Sequence, residues 1–257
     1  MPSTPFFSRD GDRFVPNDIC RGPWDRESLH GRVVAGLLAH EIEQRWGQPG
    51  FQSARLTVDL YRMPPFAPAE VSSQVVRDGN RIRVVDAEFT SGGVAIARAS
   101  AVLLRRSENP GGTVWSPPTW DAPAPASLPA PEVRPGYDPM WETRVIDHGF
   151  GSVERKRAWL RETRRLVDDV ELTPWVRAAF ASDFTNPFAN SGSAGLEFVN
   201  ADITLYLHRL PAGEWLGFEV ATHQAAEGVA VAECALYDED GPIGRSLVCA
   251  VANRRSR

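Results

Sequence analysis

"LTVDLYRMP" (56–64) and "ITLYLHRLP" (203–211) decide how this chain is built. Both read as strands ending in a turn, and a second pair, "IARAS" (96–100) and "IGRSL" (243–247), stands at the same separation. Thr57 and Thr204 are 147 residues apart, and so are Arg98 and Arg245. Two matches at one offset point to a duplicated unit. Since β-rich segments also look alike by chance, the order of elements must repeat as well.

That order does repeat. In the first half, "HGRVVAGLLAHEIEQRW" (30–46) carries Val34, Leu38, Ile42 and Trp46 at i+4 steps, with Gly36 and Ala39 allowing close approach, which predicts a core helix. Strand-like runs follow at 54–63, 70–79, 81–93 and 94–106, punctuated by Asp-Gly and Gly-Gly. In the second half Thr173 is an N-cap with Pro174 at the first helical position, and the helix is expected to run toward Pro187. Strands at 197–210, 214–224, 229–240 and 243–254 come next. A helix followed by an antiparallel meander, twice, predicts an α+β fold in which sheet wraps helix and each buries the other's apolar face. Between the repeats, 107–135 is rich in Pro, Ala and Gly and reads as a linker, so the expected units are 1–106 and 136–257. Trp115 and Trp120 predict that the linker packs on a surface.

The chain has 257 residues, 42% of them hydrophobic, enough for a substantial core. A net charge of −5 argues against nucleic acid, which needs an excess of Lys and Arg, and leaves small molecules or proteins as partners. The three cysteines have neither metal-ligand spacing nor disulfide density, the N-terminus lacks an apolar leader core, and no apolar run reaches the roughly 18–20 residues of a spanning helix. These features predict a cytoplasmic protein that does not insert into membranes.

Candidate functional residues emerge from the places where polar groups break the pattern. On the helix from 174, Val176, Phe180, Asp183 and Phe184 share one stripe, so a carboxylate lies on the core-facing side. Asp183 is then either a functional group with partners or a turn residue bonding the "TNP" that follows. In "EFVNADITLYLH" (197–208) alternation sets Asn200, Asp202, Thr204, Tyr206 and His208 on one face, so Asp183 and Asn200 share a cleft if helix end and polar face approach. His30, at a helix start, caps the helix or meets substrate. Cys249 in "SLVCAVA" reads as a core residue, since a nucleophile would need a nearby base. His208 and His223 lack metal-ligand spacing, and the basic run 154–165 is either a solvated face or a contact for phosphate.

"GPW" (22–24) with "HG" (30–31), "ASDF" (181–184), "DITLYLHR" (202–209), "GEWL" (213–216) and "LYDEDGPIGRS" (236–246) ahead of a terminal "NR" resemble, in that order, the acyl-CoA thioesterase II family along nearly the whole chain. The resemblance implies two fused hotdog folds and hydrolysis of acyl-CoA thioesters, and neither a metal nor a cofactor is expected. In that family an Asp, a Thr and a Gln position and activate water. Asp183 stands at the Asp, while Asn200 aligns with the Thr and Cys249 with the Gln. The expected site therefore has Asp183 and Asn200 as catalytic residues, with Cys249, His30, Gly31 and Thr204 along the substrate. Because two of three residues differ, an acyl-CoA-binding protein without turnover is the alternative. At the 147-residue offset Asp183 corresponds to Gly36, Asn200 to Ser53 and Cys249 to Val102, so one site per chain is expected. Hotdog sheets pair side by side, which makes a homo-oligomer possible, although two fused copies already satisfy one such pairing.

Overall fold

The computed structural model describes residues 4–118, 120–132, 139–168 and 170–253. The expected linker end, between 135 and 136, and Arg254 of the terminal "NR" lie outside them.

Each repeat supplies strands to one antiparallel sheet and a helix to its inner face. The first contributes β1 (Phe7–Asp10), β2 (Arg13–Pro16), α1 (Gly31–Trp46), β3 (Phe51–Leu60), β4 (Ala69–Asp78), β5 (Ile82–Ser91) and β6 (Val94–Arg105). The second contributes β7 (Trp141–Asp147), β8 (Arg157–Glu162), α2 (Pro174–Ser182) and α3 (Thr185–Asn190). A small hairpin follows, β9 (Ser191–Gly192) and β10 (Gly195–Leu196), and then β11 (Phe198–Asn200), β12 (Asp202–Leu207), β13 (Trp215–Ala226), β14 (Val229–Asp238) and β15 (Gly241–Ala252). The continuous sheet runs β1-β2-β4-β5-β6-β3-β12-β15-β14-β13-β8-β7, with β11 beside β15. This is a double hotdog: two helix-and-meander units joined edge to edge.

The seam between β3 and β12 carries the duplication on its face. Thr57 pairs with Thr204 across it, their hydroxyls 3.3 Å apart, and Val58 and Leu56 flank them opposite Ile203 and Leu205. Residues 147 apart thus meet each other at a pseudo-twofold axis, as the self-complementary edge of a dimer would. Helix α1 packs against α2. α1 is buried on nearly all sides from Arg32 to His40, and a Cβ at Gly36 would stand 2.7 Å from the Phe180 ring, so the small residue permits the contact.

Three details depart from the periodic reading. First, the helix from 174 does not stop at Pro187: it turns at Asp183 and resumes to Asn190. Proline offers no N–H and crowds the carbonyl four residues before it, here that of Asp183, which instead accepts from the Asn186 N–H at 3.1 Å. Second, "EFVNADITLYLH" does not keep one polar face. Asn200 pairs with Ala250 but Thr204 with Leu247, so four steps on one strand match three on β15, leaving an extra residue at Ala201. That bulge turns Asn200 inward while Asp202 and Thr204 stay on the outer face. The first repeat has the same device at Ala54, where Ser53 pairs with Leu103 and Arg55 with Val102. Third, the helix N-caps His30 and Thr173 are 143 residues apart (173 − 30), not 147, because the β9–β10 hairpin inserts about one turn of chain between helix and strand. Within the helices Asp183 therefore corresponds to His40, not Gly36.

The linker is held down at one place. Trp120 stacks on Tyr237 with centroids 4.1 Å apart and meets Trp159 edge-on at 4.9 Å, while Trp159 donates to the Pro123 carbonyl at 2.9 Å and Arg144 to that of Pro125 at 2.6 Å. Gly217 makes room, since a Cβ there would come within 2.5 Å of the Trp120 ring. Trp115, also expected to pack, is 84% exposed.

The basic run 154–165 is in part a solvated face, with Arg155 and Arg165 exposed, and its cations are paired within the fold. Lys156 is buried and donates to the carbonyls of Phe188 and Ser191 at the end of α3, where a cation suits the exposed carbonyls. Arg157 pairs with Asp147 and Asp121, Arg161 with Glu142, Arg165 with Glu171, and Arg164 donates to the Thr4 carbonyl.

Candidate active site

Asp183 is 4% exposed and sits where the kinked helix of the second repeat meets the start of α1. His30, the N-cap of α1, brings Nδ1 to 3.2 Å from Asp183 Oδ2, at an angle short of a hydrogen bond. Asn200, turned inward by the bulge, donates Nδ2 to Asp183 Oδ1 at 3.0 Å and to the Asp202 carbonyl at 3.3 Å. The carboxylate also lies against Gly31: a Cβ there would be 3.3 and 3.4 Å from its two oxygens. Glycine lets the carboxylate reach the helix N-terminus, where the first N–H groups lack intrahelical partners and the helix dipole favours negative charge.

Burial alone pushes the Asp183 carboxyl up, but His30, the Asn200 amide and the field of Arg32 outweigh it and hold the group below the usual carboxylate range. Arg32 lies behind the site. Its guanidinium is sandwiched between Trp141 at 4.2 Å and Phe180 at 4.1 Å and pairs with Glu162, whose carboxylate is fully buried. Burial pushes Glu162 up to about 7 although Arg32 opposes it. A link between residues 130 apart leaves no local signal in the sequence.

Asp183, His30, Asn200 and Gly31 form the polar end of a cavity of about 520 Å³. Its walls are apolar and aromatic, with Trp24, Tyr61, Met63, Trp141 and Phe150 among them. Behind Phe150, Phe184 stacks on Phe188 with centroids 4.9 Å apart and meets Phe218 edge-on at 5.1 Å. An apolar recess with a few convergent polar groups has the form of a small-molecule site. A larger, more polar cavity of about 820 Å³ lies near His223 and Lys156 and does not include Asp183.

Of the expected site residues, the fold brings together Asp183, Asn200, His30 and Gly31. It does not bring Cys249 or Thr204 there. Val248 and Ala250 face the core, so Cys249 between them faces outward, its N–H bonded to Asp202 at 2.6 Å and its thiol raised to about 11 by burial and the Asp202 carboxylate. Thr204 faces its counterpart Thr57 on the outer side of the seam. Aligning Cys249 by motif alone missed the strand parity. Asn186, which sequence reasoning passed over, lines the cavity next to Asp183. Its spacing from Asp183, three residues along a helix, was the available signal. Among the described residues no group of three or more His, Cys, Asp or Glu is placed to hold a metal ion, and no helix is long and apolar enough to cross a membrane.

A double hotdog with a buried carboxylate at the interface of its two helices, opening to an apolar cavity, defines a hotdog protein with a small-molecule site. Sequence comparison is more specific: residues 20–104 match the acyl-CoA thioesterase N-terminal domain and 117–247 the acyl-CoA thioesterase C-terminal domain. The chain belongs to the acyl-CoA thioesterase family. Membership supports thioester hydrolysis as the general reaction, on an acyl-CoA thioester substrate. Similar folds include the tesB protein of Mycobacterium avium subsp. paratuberculosis, 17% identical over 96% of this chain and 95% of that one, TM-score 0.71. A hot dog fold protein from Alicyclobacillus acidocaldarius is 18% identical over 98% and 96%, TM-score 0.74. The acyl-CoA thioesterase II TesB2 of Mycobacterium marinum is 16% identical over 95% and 94%, TM-score 0.66. No curated protein matches the chain.

Proposed function

We propose that the chain hydrolyses acyl-CoA thioesters at one site per molecule, in the cavity between the units 1–106 and 136–257. Carrying this reading is the convergence on Asp183 of His30, Asn200 and the N-terminus of α1, at the end of an apolar cavity. The acyl group lies along the aromatic walls. A water held by Asp183, and by the Asn200 Oδ1 that its donor bonds leave free, attacks the thioester carbonyl. Asp183, with His30 beside it, takes the water's proton and returns it to the departing sulfur, so the products are a carboxylic acid and the thiol of coenzyme A. N–H groups of the first turn of α1 stabilise the oxyanion, a contribution that grows in a water-poor site. Single occupancy follows from His40 standing where the first repeat would need its own Asp. The free cysteines Cys20, Cys234 and Cys249 fit a reducing, cytoplasmic setting, and the fused halves already make one dimer-like seam, with higher oligomers left to the outer edges.

One observation favours the second reading, an acyl-CoA-binding protein without turnover: the contacts that hold Asp183 low also weaken it as a base near neutral pH. The test is hydrolysis of short, medium, long and aromatic acyl-CoAs by the wild type and by Asp183→Asn. Hydrolysis that falls about a hundredfold or more in a folded Asp183→Asn protein supports the enzyme. Tight binding with no hydrolysis of any thioester overturns it in favour of the binder.

A further inference from the structure

Asn186 lies in the first turn of α3, buried, and lines the same cavity. On the side away from the cavity its amide joins a ladder. Nδ2 donates to the Phe198 carbonyl at 3.3 Å, and Oδ1 accepts from Asn190 Nδ2 at 2.8 Å. Asn190 Oδ1 then stands 2.8 Å from Nδ1 of His223 on β13, whose ring packs edge-on against Phe198.

The direction of this ladder is set by its one fixed end. A carbonyl only accepts, so Asn186 must turn Nδ2 toward Phe198 and Oδ1 toward Asn190. Asn190 must in turn present Oδ1 to His223, which therefore carries a proton on Nδ1. An amide nitrogen has two hydrogens, and Phe198 takes one. No acceptor among the described residues takes the other. A buried amide donor costs stability unless something binds it, and the thioester carbonyl is the group this cavity would bring there.

We propose that Asn186 is a thioester-contacting residue: its second Nδ2 hydrogen donates to the substrate carbonyl oxygen as that oxygen becomes negative. Asn190 and His223 are positioning residues that hold the amide in this orientation. The inference rests on the hydrolytic reading of the cavity and gives the site a side-chain donor from the helix that also carries Asp183.

The experiment compares Asn186→Leu, His223→Leu and Asp183→Asn with the wild type on whichever acyl-CoA of the panel is hydrolysed fastest, with thermal melting alongside. Removing one oxyanion donor should lower kcat about a hundredfold in Asn186→Leu with KM changed by only about twofold. His223→Leu, a change at the exposed end of the ladder, should lower kcat by roughly threefold to tenfold at unchanged KM, a split that a packing defect would not produce. If Asn186→Leu does not fold, His223→Leu decides: a fall in kcat alone supports the ladder and an unchanged kcat overturns it. Loss of turnover in Asp183→Asn with wild-type kcat in folded Asn186→Leu overturns the inference and leaves the hydrolytic reading standing. No hydrolysis by the wild type overturns both.

Discussion

Replacing Glu162 with Gln should remove one term from the pH dependence of stability. The Glu162 carboxylate is fully buried against Arg32, itself 3% exposed, and its proton affinity rises from an ordinary 4.5 to about 7. Between these values the folded chain keeps a proton that the unfolded chain has released. The stability this group contributes is thus complete below about 4.5, is lost as pH climbs through about 7, and stays lost above. At about 1.4 kcal/mol per pH unit, the change across the window is on the order of 3 kcal/mol. Gln keeps an oxygen for Arg32 but has no proton to lose. Asp183 has the opposite sign: held below its ordinary 3.8, it contributes stability above that value that is lost as pH falls through its folded value, outside the Glu162 window. Urea denaturation of both proteins at about pH 5, 6 and 7, inside the window, and at about pH 8, above it, gives two stability curves whose difference cancels every group they share. The wild type should lose roughly 3 kcal/mol relative to Glu162→Gln from the acid end to the alkaline end. Parallel curves would show that the buried pair does not hold the proton in this way.

Gly217→Ala should push Trp120 off the outer face of the sheet, because the added methyl meets its ring at 2.5 Å. We expect a cost of about 1–3 kcal/mol and a red-shifted tryptophan emission, and an unchanged spectrum would refute the docking. Cys249→Ala should leave turnover within about twofold of wild type, since the side chain points away from Asp183, and a tenfold loss would contradict the strand parity.

The sequence carried the fold because periodicity and duplication are local, repeated signals. The pairing of Thr57 with Thr204 is the physical form of the 147-residue offset. Asp183 was legible for the same reason, as a charge out of place on an apolar stripe. What escaped was aperiodic. One extra residue at Ala201 reverses side-chain parity, which is why Asn200 enters the site while Thr204, four residues on, does not. A short hairpin shifts the helix correspondence, so His40 replaced Gly36 as the partner position of Asp183. Cys249 failed because a motif alignment carries no inward or outward direction. The Arg32–Glu162 pair and the Asn186–Asn190–His223 ladder join segments distant along the chain, and only packing reveals them.

The seam at Thr57 and Thr204 joins two halves that are no longer copies. In a homodimer every inherited change lands twice, once on each side of the axis, so a residue useful in one pocket must be tolerated in the other. Fusion lifts that constraint. Asp183 and its counterpart position His40 are free to differ, and so are the two helix caps, Thr173 bonded to Glu43 and His30 beside Asp183. Selection can act on each half separately, each mutating at its own pace within a single gene.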